Sequence, residues 1–309
     1  MDVSIVIVSY NTSKILDECI VSIKKETTCA YEIIVVDNAS ADESCQMLRE
    51  KYPDVTLIEN SGNVGFARAN NQGFAIAQGK YYFMLNSDTV ILDKAIDKLF
   101  SFMENNSDVG ISGPRNVGRD GHLQYSCDHL PSFWNTFWVY SNFINRFPKV
   151  RLFKRSRMLY WDYAEQRDVD KIMGCSLFIP AALYRQLGGL DNSYFMYFEE
   201  TDFCFQVKRS GKRIVYFPEA TIIHYGGESS QSQNKEMVIN KTVLSYFFKS
   251  QYYFYQKNYG FLPMLAMRFL DGGYGMVLLL RNALRGDREK KKYGLCKGRA
   301  FLSGAITVK

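Results

Sequence analysis

A chain of 309 residues with 47% hydrophobic side chains can bury a sizeable core, as one large α/β domain with extensions or as two modest domains. The formal net charge of +6 is modest, and most of its excess lies in RFPKVRLFKRSR (146–157) and RNALRGDREKKKYGLCKGR (281–299), a basic, aromatic-rich back half that suits nucleic acid or an anionic membrane surface. Seven cysteines, at 19, 29, 45, 127, 175, 204 and 296, include no C-x-x-C pair, which excludes a zinc site of that spacing and a disulfide framework and predicts reduced thiols.

The N-terminal VSIVIVSY (3–10) is apolar for only a few residues and has no basic leader, so it reads as a strand and not as a signal peptide. Ile15, Leu16, Cys19, Ile20 and Ile23 then recur at helical spacing. EIIVVDNAS (32–40) predicts a second strand, followed by a helix over 42–52 with Ser40 as its N-cap. VTLIEN (55–60), a helix over 65–78 and the strand KYYFML complete the pattern. Strands that alternate with helices, and that are nearly continuous apolar runs, predict parallel pairing with both sheet faces covered.

A helix over 93–105 precedes VGISGPRN (109–116), which reads as strand then turn. Residues 122–170 mix aromatic with basic side chains and lack a clean period, so they predict loops or loose helices. Order returns with KIMGCSLFIP (171–180), helices near 181–187 and 201–211, and the strand KRIVYFPEATIIHY (212–225); beyond 230 the pattern is helical. FLPMLAMRFLDGGYGMVLLL (261–280) is interrupted by Arg268 and Asp271, two glycines and a proline, which predicts a surface-lying amphipathic segment and not a membrane span.

Polar residues gather where strands end, and ligands of open α/β sheets bind beyond the carboxyl ends of strands. Asp37 either caps a turn or hydrogen-bonds a base N–H or a ribose hydroxyl. Asn63-Val64-Gly65-Phe66 is an ordinary helix start or a phosphate cradle. Asn86-Ser87-Asp88 stops an apolar strand abruptly, and His224 ends another before Tyr-Gly-Gly. FMYFEETDFC (195–204) supplies Glu199, Glu200 and Asp202, either as a solvated helix start or as a general base beneath aromatics.

SIVIVSYN, IIVVDNAS, NVGFARANNQG, LNSDT, MGCSLFIP, LGGLDNSYFMYFEETDFC and HYGGES, in this order, resemble the family 2 inverting glycosyltransferases, most of all the rhamnosyltransferase-like branch, over about residues 2–230. The resemblance implies a GT-A fold: a Rossmann-like, mixed but mainly parallel sheet flanked by helices, over 1–228, with a helical, basic extension over 229–309. It implies that Ser9, Tyr10 and Asn11 line a nucleotide pocket with Asp37 on the base. Asn63, Gly65 and Asn70 would face the donor's ribose, phosphate or sugar. Asn86, Ser87 and Asp88 stand at the family's D-x-D motif, with Asp88 and His224 as ligands of Mg²⁺ or Mn²⁺. Glu200 matches the catalytic base and Glu199 the acid before it. Asn at 86 and Glu at 200 each replace an Asp of the family pattern, which bears on metal dependence and acceptor geometry.

The expected reaction moves a sugar, first L-rhamnose from dTDP-rhamnose, to a saccharide acceptor linked to polyprenyl diphosphate. A UDP-hexose donor and an inactive nucleotide-binding relative are the alternatives. A cytoplasmic location on the inner face of the plasma membrane follows if 261–285 and Lys290-Lys291-Lys292 lie on an anionic leaflet; packing on the chain itself or an oligomer contact is the competing reading. Nucleic acid is not expected, because the basic residues form no recognisable module. A dehydrogenase would need G-x-G-x-x-G, which SGNVGF does not match.

Overall fold

The computed structural model describes residues 1–147, 149–154, 158–226 and 240–307. In its first part, strands β1 (Val3–Ser9), β2 (Tyr31–Asp37), β3 (Thr56–Glu59) and β4 (Tyr81–Asn86) alternate with helices α1 (Ser13–Glu26), α2 (Ser44–Lys51) and α3 (Phe66–Ile76). There follow β5 (Thr89–Leu92), α4 (Ala95–Glu104), β6 (Val109–Val117), β7 (Leu123–Gln124), β8 (Cys127–Asp128), α5 (Phe133–Tyr140), α6 (Phe143–Arg146) and a 3₁₀ turn, Arg151–Lys154. The chain continues through β9 (Arg167–Asp168), β10 (Lys171–Ile172), β11 (Ser176–Pro180), α7 (Ala181–Gln186), α8 (Glu199–Arg209) and β12 (Arg213–His224). It ends in α9 (Lys241–Tyr259), α10 (Phe261–Ala283) and α11 (Arg288–Thr307).

Two units divide these elements: Met1–Leu130, Lys154–Phe195 and Glu199–Ser230 in the first, and Pro131–Phe153, Met196–Phe198 and Gln231–Lys309 in the second. The first is built on a ten-stranded sheet whose main path is β3-β2-β1-β4-β11-β6-β12-β5. β1 runs parallel to β2 and β4, whereas β11 runs antiparallel to β4 and β6. The sheet is therefore mixed, as the resemblance implied. In β1, Val3, Ile5, Val6 and Ile7 are all fully buried, so both faces of the strand are covered. Leu16, Cys19, Ile20 and Ile23 form the buried stripe of α1 and join that core. All seven cysteines are free thiols.

Four sequence expectations change. Ser40 does not cap α2, which starts at Ser44; Asp42 holds the Ser44 amide and hydroxyl, and Ser40 is drawn to Asp37. VGISGPRN is strand throughout, because Pro114, which has no N–H to offer, sits where the neighbouring β12 shifts register between Phe217 and Thr221. β5 follows the β4 tip so closely that the pair reads as one strand and its turn. Residues 122–170 include a true helix, α5, started by Ser132, whose Oγ accepts from the Asn135 amide. Its period is hidden because Trp134, Phe137 and Trp138 pack ring against ring, leaving no residue of the helix fully buried.

In the second unit, α10 has one buried and one exposed face, and the polar interruption lies on the buried one. Asp271, an apparent surface interruption, is completely buried, while Leu262, Phe269, Leu280 and the following Leu284 are 75%, 78%, 69% and 93% exposed. The carboxylate can be buried because it accepts hydrogen bonds from Tyr140 (2.6 Å), Gln251 (2.7 Å) and Tyr252 (2.9 Å). Among the described residues no helix is long and apolar enough to cross a membrane. The expected boundary at 228/229 and the Gly-Glu-Ser of HYGGES lie outside the described residues, as do Arg155 to Arg157 of the first basic cluster.

Burial pushes the Asp271 carboxyl from 3.8 up to about 6, against three donors that favour its charged form. The folded state then holds this proton more tightly than the unfolded chain does, so the unfolding free energy falls as pH rises from about 4 through about 6, by at most roughly 3 kcal/mol. Thermal denaturation across that range should record the decline in the parent chain, and Asp271→Asn should flatten it; an unchanged slope would assign it to other groups.

Candidate active site

The parallel strands bring their C-terminal tips into line, with Ser9 opposite Asp37 and Val8 opposite Asn86. Asp37 is buried and spends both carboxylate oxygens on Ser40, accepting from its amide at 2.8 Å and its hydroxyl at 2.5 Å. Ser40 Oγ in turn accepts from the amide of Asn11, whose side chain accepts from the Ala41 amide. These bonds knit the loops after β1 and β2 into one edge and hold Asn11 in the left-handed region, at φ 55°. Tyr10, between them, is 40% exposed and offers a ring at the same edge.

Ser9 and Ser87 are joined through a residue that carried no sequence signal. Thr12 Oγ1 lies 3.0 Å from Ser9 Oγ and 3.2 Å from Ser87 Oγ, so three buried hydroxyls link the β1 and β4 tips. The start of α3 is arranged differently from a phosphate cradle. Gly65, at φ 89°, lets the Phe195 carbonyl approach so closely that a Cβ would lie 2.5 Å from it, and the Phe66 amide donates to that same carbonyl at 2.8 Å. The glycine is thus required by a protein contact. Asn63 accepts from the Gly65 amide, and Asn70 donates to the Phe66 carbonyl while its own Oδ1 is buried without a hydrogen-bond partner among the described residues.

The acid end of α8 reaches the β4 tip through two consecutive residues. A Cβ on Gly174 would lie 3.3 Å from the Glu200 Cβ, and the Cys175 carbonyl accepts from the Asn86 amide at 3.0 Å. Glu200 and Asn86 are therefore held to one short loop that enters β11. Glu200 accepts from Thr201 Oγ1 at 2.9 Å and lies 3.6 Å from the Lys171 ammonium, an ion pair for which the sequence gave no hint. Glu199 beside it is buried, and its Oε2 finds no partner among the described residues. Burial first, and the Glu200 charge second, push the Glu199 carboxyl well above the carboxylate range. Two adjacent acids thus differ in environment: one is enclosed, the other faces a cation. The aromatics before them count with the second unit, where Phe198 packs against Phe247 and Phe254.

Asp88 and His224 come together at this edge. The Tyr225 amide donates to the Asp88 carbonyl at 2.9 Å, and His224 Nε2 then stands 3.4 Å from Asp88 Oδ1. Two ligand atoms at that separation can share one divalent cation at roughly 2.1 Å from each. No group of three or more His, Cys, Asp or Glu gathers for a metal among the described residues, so the pair suits an ion that keeps phosphate oxygens or water in its shell. The residues present fit the implied cation.

A family model described as glycosyl transferase family 2 matches residues 4–167. The chain is similar to an N-acetylglucosaminyl-diphospho-decaprenol L-rhamnosyltransferase of Mycobacterium tuberculosis, with 25% identity across 96% of this chain and 98% of that protein. Among solved structures it resembles a mannosyltransferase of Pyrobaculum calidifontis in complex with GDP-Man and Mn²⁺, at TM-score 0.58 and 14% identity over 98% and 86% of the two chains. It also resembles GalNAc-T7 with UDP, GalNAc and Mn²⁺, at TM-score 0.58 and 17% identity over 83% and 51%. These likenesses establish the GT-A fold, and because the matched segment is more than half of the 309 residues, the chain belongs to glycosyl transferase family 2.

Proposed function

We propose that this chain is an inverting, metal-assisted glycosyltransferase that uses a nucleoside diphosphate sugar, first dTDP-L-rhamnose, to glycosylate a hydroxyl of a saccharide linked to polyprenyl diphosphate. The observation that carries the reading is the Asp88–His224 pair at the strand tips, with Glu200 tied to the same edge through Gly174 and Cys175. The choice of rhamnose and of a lipid-linked acceptor is supported by the name of the mycobacterial relative, whose similarity extends over nearly the full length of both chains.

In this reading Ser9, Tyr10, Asn11 and Asp37 line the nucleotide, while Asn63, Gly65 and Asn70 flank the donor from the start of α3. Asn86 and Ser87 present polar groups to the ribose and diphosphate. Asp88 and His224 hold Mg²⁺ or Mn²⁺, which when bound supplies charge neutralisation to the departing diphosphate. Glu200 accepts the proton of the acceptor hydroxyl as its oxygen bonds to the anomeric carbon; the carbon–oxygen bond to the diphosphate breaks on the opposite face, and its electron pair leaves with the nucleotide. Lys171 steadies the Glu200 carboxylate, and the enclosed Glu199 is the poorer base because it holds its proton.

The exposed stripe of Leu262, Phe269, Met276, Val277, Leu280 and Leu284, with Arg281, Arg285, Lys290 and Lys292 exposed nearby, fits the surface of an anionic bilayer, where a lipid-linked acceptor resides. This helix buries its acid and exposes its leucines, the reverse of a face made for water.

Calorimetric titration with dTDP and with UDP, each with Mn²⁺ and with EDTA, tests the donor site. Metal-dependent binding of one nucleotide is expected, and binding of neither would overturn the reading. Asp88→Ala should weaken binding by about 10- to 100-fold with Mn²⁺ and scarcely in EDTA; equal loss in both would remove Asp88 from the metal site. Glu200→Gln should leave nucleotide affinity intact and lower transfer by about 10²-fold or more, whereas near-normal turnover would move the base to Glu199 or Asp202. Replacing Leu262, Phe269 and Leu280 with Ser should abolish co-sedimentation with phosphatidylglycerol vesicles. Unchanged sedimentation would give the stripe to a protein contact.

A further inference from the structure

The geometry points to Gln124 as the residue that sets His224 for cation binding, an inference that rests on the metal-assisted reading above. Gln124 lies on β7, opposite Asn116 of β6, and its amide grips His224 at two points. Its Nε2 donates to the His224 backbone carbonyl at 2.7 Å, and its Oε1 lies 2.9 Å from the His224 ring Nδ1. The carbonyl can only accept, so the amide orientation is forced: were it flipped, two oxygens would face each other at that distance. Oε1 is then an acceptor, and Nδ1 must carry the ring hydrogen. In the neutral imidazole Nε2 is left with a bare lone pair, and the atom it faces is Asp88 Oδ1, also a lone-pair donor, at 3.4 Å. Two such atoms repel unless a cation lies between them, which makes the amide of Gln124 the outer partner that metal-ligating histidines characteristically use to fix ring orientation and tautomer.

The surrounding bonds hold this arrangement in place. The β6–β7 hairpin is closed by the Gly118 amide on the His122 carbonyl, and Arg119 stacks 3.6 Å above the ring of Tyr225, the residue after His224. Tyr225 is itself bonded through its hydroxyl to Glu18 and through its amide to the Asp88 carbonyl. The hairpin thus grips the end of β12 at two successive residues, and only the Gln124 contact touches the imidazole.

The test uses the full chain with Gln124→Met, which keeps length and removes both hydrogen bonds. Free Mn²⁺ is read by electron paramagnetic resonance in the presence of saturating dTDP or UDP, whichever the parent binds, with nucleotide affinity in EDTA as the folding control. Gln124→Met should raise the Mn²⁺ dissociation constant by about 10- to 100-fold. Met within twofold of the parent overturns the role of the amide while leaving the transferase reading intact; a parent that binds no Mn²⁺ with either nucleotide overturns both. Long-range ¹⁵N–¹H spectra of the metal-free parent at about pH 8.5, above the usual imidazole range, with the three histidines assigned by His224→Gln, give a readout independent of any Gln124 variant. The Nδ1–H tautomer of His224 is expected, and Nε2–H overturns the inference.

Discussion

The hydrogen bond from the Asn86 amide to the Cys175 carbonyl joins the two halves of the proposed chemistry. On one side of it lie β4 and the polar turn that ends in Asp88; on the other lies the loop on which Glu200 leans. The bond exists because β11 runs antiparallel to β4, so that the beginning of one strand meets the end of the other. A parallel β11 would have put its C-terminal end at this edge and carried Gly174 to the far side of the sheet. The direction of one five-residue strand therefore decides whether a base and a leaving group can share a neighbourhood.

Buried acids in this chain fall into two kinds, distinguished by what surrounds them. Asp271 has three donors converging on it and bonds α5 to α9 and α10, so its burial serves packing within the helical unit. Glu199 has an oxygen that the described residues leave unpaired, at a place where its neighbour Glu200 is held by a cation. Burial and the neighbouring Glu200 charge raise the proton affinity of Glu199, which leaves Glu200 as the member of the pair proposed to take a proton.

What could be read from the sequence was set by how local the physics is. β1, β2 and β4 were legible because a doubly covered strand must be apolar on both faces, and α1 because its stripe recurs every three or four residues. β5 was not, since four residues after a tight turn carry too little pattern of their own. In α10 the Asp inside an apolar run could be read as an interruption that argues against a membrane span, but its burial shows only through the donors Tyr140, Gln251 and Tyr252. The residues alone gave Asp88 and His224 singly and only the family resemblance paired them; in the fold their meeting depends on the Tyr225–Asp88 backbone bond. Thr12, Lys171 and Gln124 have no sequence signature at all, because each acts through a partner far away, in the case of Gln124 at a separation of 100 positions.

Because β11 enters the proposed functional edge at its first residue, the short stretch Lys171–Cys175 ties β10, and with it the paired β8, directly to that edge. A segment attached at the start of such a strand can grow, shrink or change composition while the Asn86–Cys175 bond and the Glu200 contact keep their registers. Chains that share this sheet could therefore vary in part between β8 and β10, outside β9 and its Asp168–Arg213 bonds, and keep the same edge. The aromatic residues of that stretch are not all free to change, because Tyr140 and Tyr163 within it are bonded to Asp271 and Cys127.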